Sequence, residues 1–529
     1  HMITPNLDRL AGDGCLFTNA YSPNPICVPA RHYLLTGNPA SQHGYYDNSG
    51  HEIKDHGLPT LARTFSENGY YTAAIGKCHF HPPKAHHGYC ETHLMEEIPA
   101  HISEDAYLQF LRDQGHGECR NIHGIRGAIY HEPQAALLPE EMLGPNWVAQ
   151  RAVDWIGQNA DRPFLLTCGW IKPHPPWNLP ETKRVLYADR ELPEPIVRSR
   201  VPPFPTGDNR FYGDEDSDET KREIREAYFT TITMVDEAVG QILSCLETKG
   251  ILDDTIIIFT SDHGEMLQDK GYYQKMLPFE SSARIPMMIR YPEAFSPGSR
   301  SDELTDLMDI FPTCLELAGI DYFYNEKHRH YGLSGGSLVP GSHSPWQRDR
   351  EVQFCDCLQG PFRWVSLRDR RYKFVHFFAG GQEYLYDLEN DPGELNNLIG
   401  QREPYDEIHQ RLRSQAIRFE TERGPGDTVH NGDFSDCGRF SYNEFDWNNC
   451  DKYPRWSYAH FPVLGKGERE AERYLEELTA ATRHWPEDRL PAVPMPTEAR
   501  EALGNGFRKL GGNPQDLLHH YHTPAPFAS

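Results

Sequence analysis

The sequence is short of positive charge, of long apolar runs and of repetitive stretches, and each shortage removes a class of function. Lysine and arginine number 52 against 77 aspartates and glutamates, a formal charge of -25, which repels nucleic-acid phosphates and anionic membrane surfaces. Neither nucleic acid nor a membrane is expected as a partner. The apolar stretches, such as Thr255 to Phe259, are strand-sized, far below the roughly 20 residues of a membrane helix. No fixed-period repeat and no low-complexity block is present in the 529 residues, which argues against a solenoid and against a chain built for disorder. Twelve cysteines are scattered too thinly for a disulfide framework, and most read as reduced thiols. His1-Met2 reads as the remnant of a cloning site and no signal peptide is visible, so the compartment stays open between cytoplasm and periplasm.

What is present is a grammar of helices alternating with short, continuously apolar strands. Thr4 to Leu10 opens like a helix with Thr4 as N-cap and Pro5 at the first helical position. A second helix runs from Cys27 and Pro29 to a C-terminal Gly37, placing Cys27 at a helix N-terminus. Strands are expected at Thr72 to Ile75, Phe164 to Thr167 and Thr255 to Thr260, the last two preceded by helices near Trp147 to Ile156 and Glu219 to Lys249. This pattern predicts an α/β fold with a mostly parallel central sheet flanked by helices. From about Trp346 the pattern changes to three strands joined by turns at Asp369-Arg370 and Gly380-Gly381, a meander followed by a helix to about Arg423. We therefore expect a catalytic domain over 1–345, a smaller C-terminal α+β domain with an antiparallel sheet over 346–425, and an extension over 426–529. In that extension the aromatic-rich stretch Gly438 to Phe461 is expected to pack on the main domain or to form a subunit contact or sugar-stacking lip, and a helix is expected near Glu468 to Thr482.

Polar clusters follow several strands: Lys77 and His79 after the first, His174 after the second, Asp262 and His263 after the third. In open α/β sheets ligands bind at the carboxyl ends of strands, so these segments converge on one rim. Cations gathered on a strongly acidic protein imply an anionic ligand. Asp262 with His263 suits a divalent cation, or alternatively Asp262 caps the turn at Gly264. Cys27 reads either as a nucleophile activated by helix amides or as a small buried residue. The cluster Cys78, His79, His81, His86, His87 and Cys90 lacks a structural zinc spacing, and Cys355 and Cys357 read as residues on one face of a strand.

Cys27-Val28-Pro29-Ala30-Arg31 followed by Leu34-Leu35-Thr36-Gly37 resembles the signature C-x-P-x-R of the formylglycine-dependent (type I) sulfatases of the alkaline-phosphatase superfamily, with Ala in place of the commoner Ser. Thr4 to Leu10, Gly76 to His79, Pro173 to Pro176, Thr260 to Glu265 and Tyr386 to Pro392 are similar to sulfatase segments in the family's order, up to about Leu398. The resemblance implies an alkaline-phosphatase-like core and hydrolysis of sulfate esters of carbohydrates, small alcohols or aryl groups. It implies conversion of Cys27 to formylglycine by a formylglycine-generating enzyme. It further implies that Arg31 and Lys77 stabilise the hydrated aldehyde, His79 takes the proton for elimination, His174 and Lys275 hold the sulfate and assist the leaving group, and Asp262 and His263 bind Ca2+. Phosphonate monoester or phosphodiester hydrolysis is the alternative within the superfamily, and a non-catalytic binding protein the alternative outside catalysis. A homo-oligomer is compatible with either. Family members begin with a strand ending in two aspartates, whereas this chain starts at the T-P-N-L-D segment. The expectation is a natural protein longer than this chain and, here, a weak calcium site and a central sheet short of one strand.

Overall fold

The computed structural model describes residues 2–435 apart from 49–56, 82–84, 98–104, 120, 126–130, 197–216, 322–332, 344–349 and 402–403, together with 476, 477, 480, 481, 483 and 484. The aromatic stretch 438–461 lies outside the described residues, as does most of the helix expected near 468–482. Among the described residues no helix is long and apolar enough to cross a membrane.

The apolar segments at 72–75 and 164–167 become Tyr71–Gly76 and Phe164–Gly169, paired in parallel, with Glu91–Leu94 parallel on the other side of the first. A second, mixed sheet holds Ile257–Thr260, antiparallel to Met287–Arg290, which runs antiparallel to Cys15–Phe17, itself parallel to Ser299–Ser301. Parallel pairing is thus joined by antiparallel pairing at Met287–Arg290, a strand reached through the connection 261–286 rather than by a right-handed crossover.

Side chains of these strands alternate between two cores, which is why the sequence shows continuous apolar runs. Leu165 and Ile258 join the cluster containing Ala30, Tyr33, Phe65, Phe311 and Leu315. Phe164, Leu166, Cys168 and Ile257 join the cluster of Trp147, Ala152, Trp155, Met234 and Leu246. The helices Cys27–Thr36, Leu61–Glu67 and Ile310–Leu317 therefore cover one face, and Gly144–Asn159 with Asp218–Thr248 the other. Among the described residues Phe164–Gly169 and Ile257–Thr260 each have a strand partner on one side only, and both are half-buried along their length.

The first helix corrects one expectation. Thr4 precedes Pro5–Gly12, but its hydroxyl donates to Asp8 instead of capping. The free amides are taken by Asp236 of the long helix, which accepts from the Asn6 and Leu7 N–H groups at 3.3 and 2.7 Å. A buried carboxylate is a stronger acceptor than a hydroxyl at a helix N-terminus, so the tertiary contact wins.

The C-terminal meander consists of Gln353–Cys357, Trp364–Arg368, Tyr372–Phe377 and Gln382–Asp387, all antiparallel. One face, with Phe354, Val365, Leu367, Phe374 and Leu385, packs on Leu412 and Ala416 of the helix Tyr405–Arg423. The other, with Cys355, Cys357, Trp364, Val375 and Tyr386, packs on Tyr21, Ile26, Leu277 and Phe279. Cys355 and Cys357 do share one face, and burial pushes both thiols well above their ordinary range. Fully buried Arg363 ties this sheet to its helix through Asp356 (2.7 Å) and Glu420 (2.6 Å), and the Tyr33 hydroxyl of the Cys27 helix donates to Asp356.

Candidate active site

The site is assembled on the helix Cys27–Thr36. Ile26 enters it in extended conformation, Gly37 closes it at φ +64°, and Cys27 in its first turn is only 2% exposed. Asn48 accepts the Val28 N–H at 2.9 Å, so the first turn is anchored by a side chain. One turn on, Arg31 reaches across the rim: its Nε donates to Asp262 at 2.8 Å and its Nη1 to the Lys77 carbonyl at 2.9 Å. One guanidinium thus fixes three segments.

Asp262 and His263 follow the strand Ile257–Thr260 directly. The His263 Nδ1 lies 2.7 Å from the Gly264 carbonyl, which can only accept, so Nδ1 carries the proton and Nε2 faces the Cys27 Sγ at 3.2 Å. Burial raises the Asp262 carboxyl, but Arg31, His263 and Lys77 outweigh it and hold the group far below the carboxylate range. Burial likewise raises the Cys27 thiol, yet Lys275, Lys77 and His263 bring it well below its ordinary value. Among the described residues Cys27, Asp262 and His263 are the one group able to hold a metal, with ligand atoms within 4.8 Å of one another.

Lys77 leaves the strand Tyr71–Gly76 through a turn only glycine permits. Gly76 has φ +93°, and a Cβ there would lie 2.0 Å from the Gly169 carbonyl. Lys77 is only 3% exposed, with its Nζ 2.7 Å from Glu97. Burial lowers its ammonium, but Glu97 and Cys27 more than compensate. On the same turn the Cys78 and His79 N–H groups donate to Glu96 at 3.0 and 2.9 Å, holding His79 at φ +50°. The His79 ring lies 6.2 Å from that of His81, and its buried Nδ1 has no hydrogen-bond partner among the described residues.

His174 and Lys275 close the pocket. The His174 Nδ1 is 2.7 Å from the Pro175 carbonyl, and its Nε2 is 3.0 Å from the Lys275 Nζ. Lys275 also donates to the Gln274 side chain at 2.9 Å. The structure thus brings Cys27, Arg31, Lys77, His174, Asp262, His263 and Lys275 together, and His79 shares the Lys77 turn. Sequence reasoning missed Glu96 and Glu97. They lie just beyond the parallel strand Glu91–Leu94, whose short polar sequence hides it, although the rule that sites form at strand carboxyl ends would have found them once that strand was known.

The Sulfatase family model matches residues 1–320. The chain belongs to the sulfatase family. It is accordingly a sulfuric ester hydrolase of alkaline-phosphatase-like fold, and the model for the C-terminal part of N-sulphoglucosamine sulphohydrolase matches residues 268–422 of the same sulfatase. An arylsulfatase of Clostridium perfringens is 31% identical over 81% of this chain and 91% of its own length. A choline-sulfatase of Rhizobium meliloti is 32% identical over 74% and 77% respectively. The crystal structure of a phosphonate monoester hydrolase of Agrobacterium radiobacter superposes with a TM-score of 0.67 at 25% identity, covering 80% of this sulfatase and 91% of that chain.

Proposed function

We propose that this sulfatase hydrolyses sulfate monoesters of small alcohols, carbohydrates or aryl groups through a formylglycine formed from Cys27. What supports the reading is the convergence of Lys77, His174 and Lys275 on Cys27 inside an acidic protein. Two ammonium groups and an imidazole suit a tetrahedral anion and the charge that develops on it. The hydrated aldehyde supplies an oxygen nucleophile at position 27. Arg31 and Lys77 hold that position and its charge, Lys275 binds sulfate oxygens, and His174 gives a proton to the departing alcohol oxygen as its bond to sulfur breaks. His79 takes the proton that allows release of inorganic sulfate.

Asp262 and His263 would hold one side of a Ca2+ ion, offering a hard carboxylate oxygen and an imidazole nitrogen beside position 27. The ion would lower the cost of negative charge on the nucleophile. Because calcium takes six to eight oxygen ligands, this donor set is a partial shell.

The likeness to a phosphonate monoester hydrolase favours one second reading, a phosphonate ester as substrate. Side-by-side turnover of 4-nitrophenyl sulfate and 4-nitrophenyl phenylphosphonate decides between them. The sulfate ester is expected to be preferred in kcat/KM, and a preference for the phosphonate would overturn the proposal.

A further inference from the structure

Glu97 is a carboxylate inside a pocket built to receive an anion. Its side chain is 9% exposed, and its two oxygens face two different cationic groups: Oε2 lies 2.7 Å from the Lys77 Nζ and Oε1 lies 3.5 Å from the His174 Nε2. A structural partner for Lys77 would need only the first contact. The second one touches the ring nitrogen through which His174 would do its chemistry.

The tautomer of His174 is fixed by its surroundings. The Pro175 carbonyl accepts from Nδ1, so that nitrogen keeps its proton and any proton gained or lost is at Nε2. In the neutral ring the Nε2 lone pair accepts from the Lys275 ammonium at 3.0 Å. In the imidazolium, Nε2–H can no longer accept and needs an acceptor of its own, and the Glu97 carboxylate stands beside it. Lys275, still held by Gln274, is then released toward a substrate oxygen.

We propose that Glu97 is the positioning residue that keeps His174 charged and its Nε2 proton available for the leaving group. This rests on the reading of the pocket as a sulfate-ester site. Without Glu97, an imidazolium at His174 would sit beside the ammonium of Lys275 with that of Lys77 close by, an arrangement that like charges disfavour. One carboxylate shared between Lys77 and His174 offsets that repulsion. Among the described residues, the other charged or titratable groups facing this cluster include Glu265 and His263, which interact with Lys275, Cys27, which interacts with both lysines, Arg31 and Asp262, which interact with Lys77, and His131, 3.0 Å from the Gln274 amide. In the step itself the ester S–O bond breaks with its electron pair on the alcohol oxygen. The Nε2 proton moves to that oxygen as the new S–O bond forms to a hydrated-aldehyde oxygen at position 27, whose own proton passes to water. His174 is left neutral with its lone pair again satisfied by Lys275, and water restores the proton.

The test compares leaving groups and pH in the full chain. For an alkyl ester such as 2-phenylethyl sulfate the departing oxygen needs the proton, whereas 4-nitrophenolate leaves largely without it. Glu97→Gln is expected to cost the alkyl ester at least tenfold more in kcat/KM than 4-nitrophenyl sulfate, mostly in kcat. The alkaline limb of its pH profile is expected to move down by about one pH unit or more. Glu97→Asp, which keeps the charge, is expected to restore most of the limb and most of the alkyl rate, and it serves as the second variant if Glu97→Gln folds poorly. Equal losses on both esters with an unmoved limb would mean that Glu97 only holds Lys77, and would overturn the proposal, as would no loss at all. Failure of the underlying reading looks different, since the unsubstituted chain would then turn over neither ester.

Discussion

Arg31 is the place where one substitution should separate the assembly of the site from its chemistry. Its Nε pairs with Asp262 and its Nη1 with the Lys77 carbonyl, so Arg31→Met, similar in volume and uncharged, strands a carboxylate and a carbonyl together. Breaking a buried ion pair from one side costs about 3–5 kcal/mol. The pair here keeps 18% and 16% of its side-chain surface, which puts the expected loss near the lower end, about 3 kcal/mol. Released, the Lys77 turn and Asp262 lose their mutual alignment. Misplacement of about 1 Å typically costs on the order of 100-fold. Denaturant unfolding followed by tryptophan fluorescence, with kcat/KM on 4-nitrophenyl sulfate from the same preparations, measures both quantities. Arg31→Lys should fall between, because one ammonium cannot span both acceptors as a planar fork does. If Arg31→Met unfolds within about 1 kcal/mol of the parent and retains activity within threefold, the bridging role is wrong.

Four further outcomes follow from the same geometry. Cys27→Ala and Cys27→Ser should both lose nearly all turnover while remaining folded, and the mass of the peptide Ser22 to Arg31 should report conversion of Cys27 in active preparations. Gly76→Ala should destabilise by about 2–3 kcal/mol and lower activity, since its Cβ would meet the Gly169 carbonyl at 2.0 Å; thermal melting beside a rate assay checks it. Burial raises the Glu383 carboxyl, but His376 and Arg413 hold it down at about 2, so its contribution is complete at neutral pH and is lost as pH falls from about 4.5 towards 2; Glu383→Gln should be less stable at pH 7 and show a flatter acid limb. Chelation by EGTA should reduce turnover, with recovery on adding calcium, and Asp262→Asn should abolish the recovery.

The parts of the fold that could be read in the sequence are those whose burial is symmetric. Phe164–Gly169 packs side chains on both faces, so its apolar run announces a strand without reference to its neighbours. The meander, also buried on both faces, was legible from short apolar runs separated by the turns Asp369-Arg370 and Gly380-Gly381. Glu91–Leu94 has neither signature, being short, polar and half-buried, and so nothing in the sequence singled out Glu96 and Glu97. Met287–Arg290 escaped notice because its antiparallel pairing depends on a connection that carries site residues instead of a crossover helix. The Thr4 cap failed on a contact some 230 residues away in sequence, which no local rule can supply. Among the candidate site residues, the convergence of strand-end cations was derivable from position alone. The family resemblance then supplied Arg31, from the signature, and Lys275, from the separate stretch Asp269 to Lys275.

The burial of Cys27 carries a consequence for the order of events during synthesis. Residues 20–30 are buried throughout, and part of their cover comes from far downstream: the Asp356 N–H donates to the Pro23 carbonyl, and the Cys355 thiol sits on the Ser22 carbonyl, 333 residues later. A modifying enzyme reading the segment Cys27 to Arg31 cannot reach it in the finished molecule. At ribosomal rates of about 5–20 residues per second, the interval between the emergence of the signature and that of its cover is on the order of 15–70 s. If Cys27 is converted to formylglycine as proposed, maturation of this sulfatase is a race against its own C-terminal sheet. Slowing translation after residue 31, or delaying closure of the meander, should raise the modified fraction without altering a single residue of the pocket.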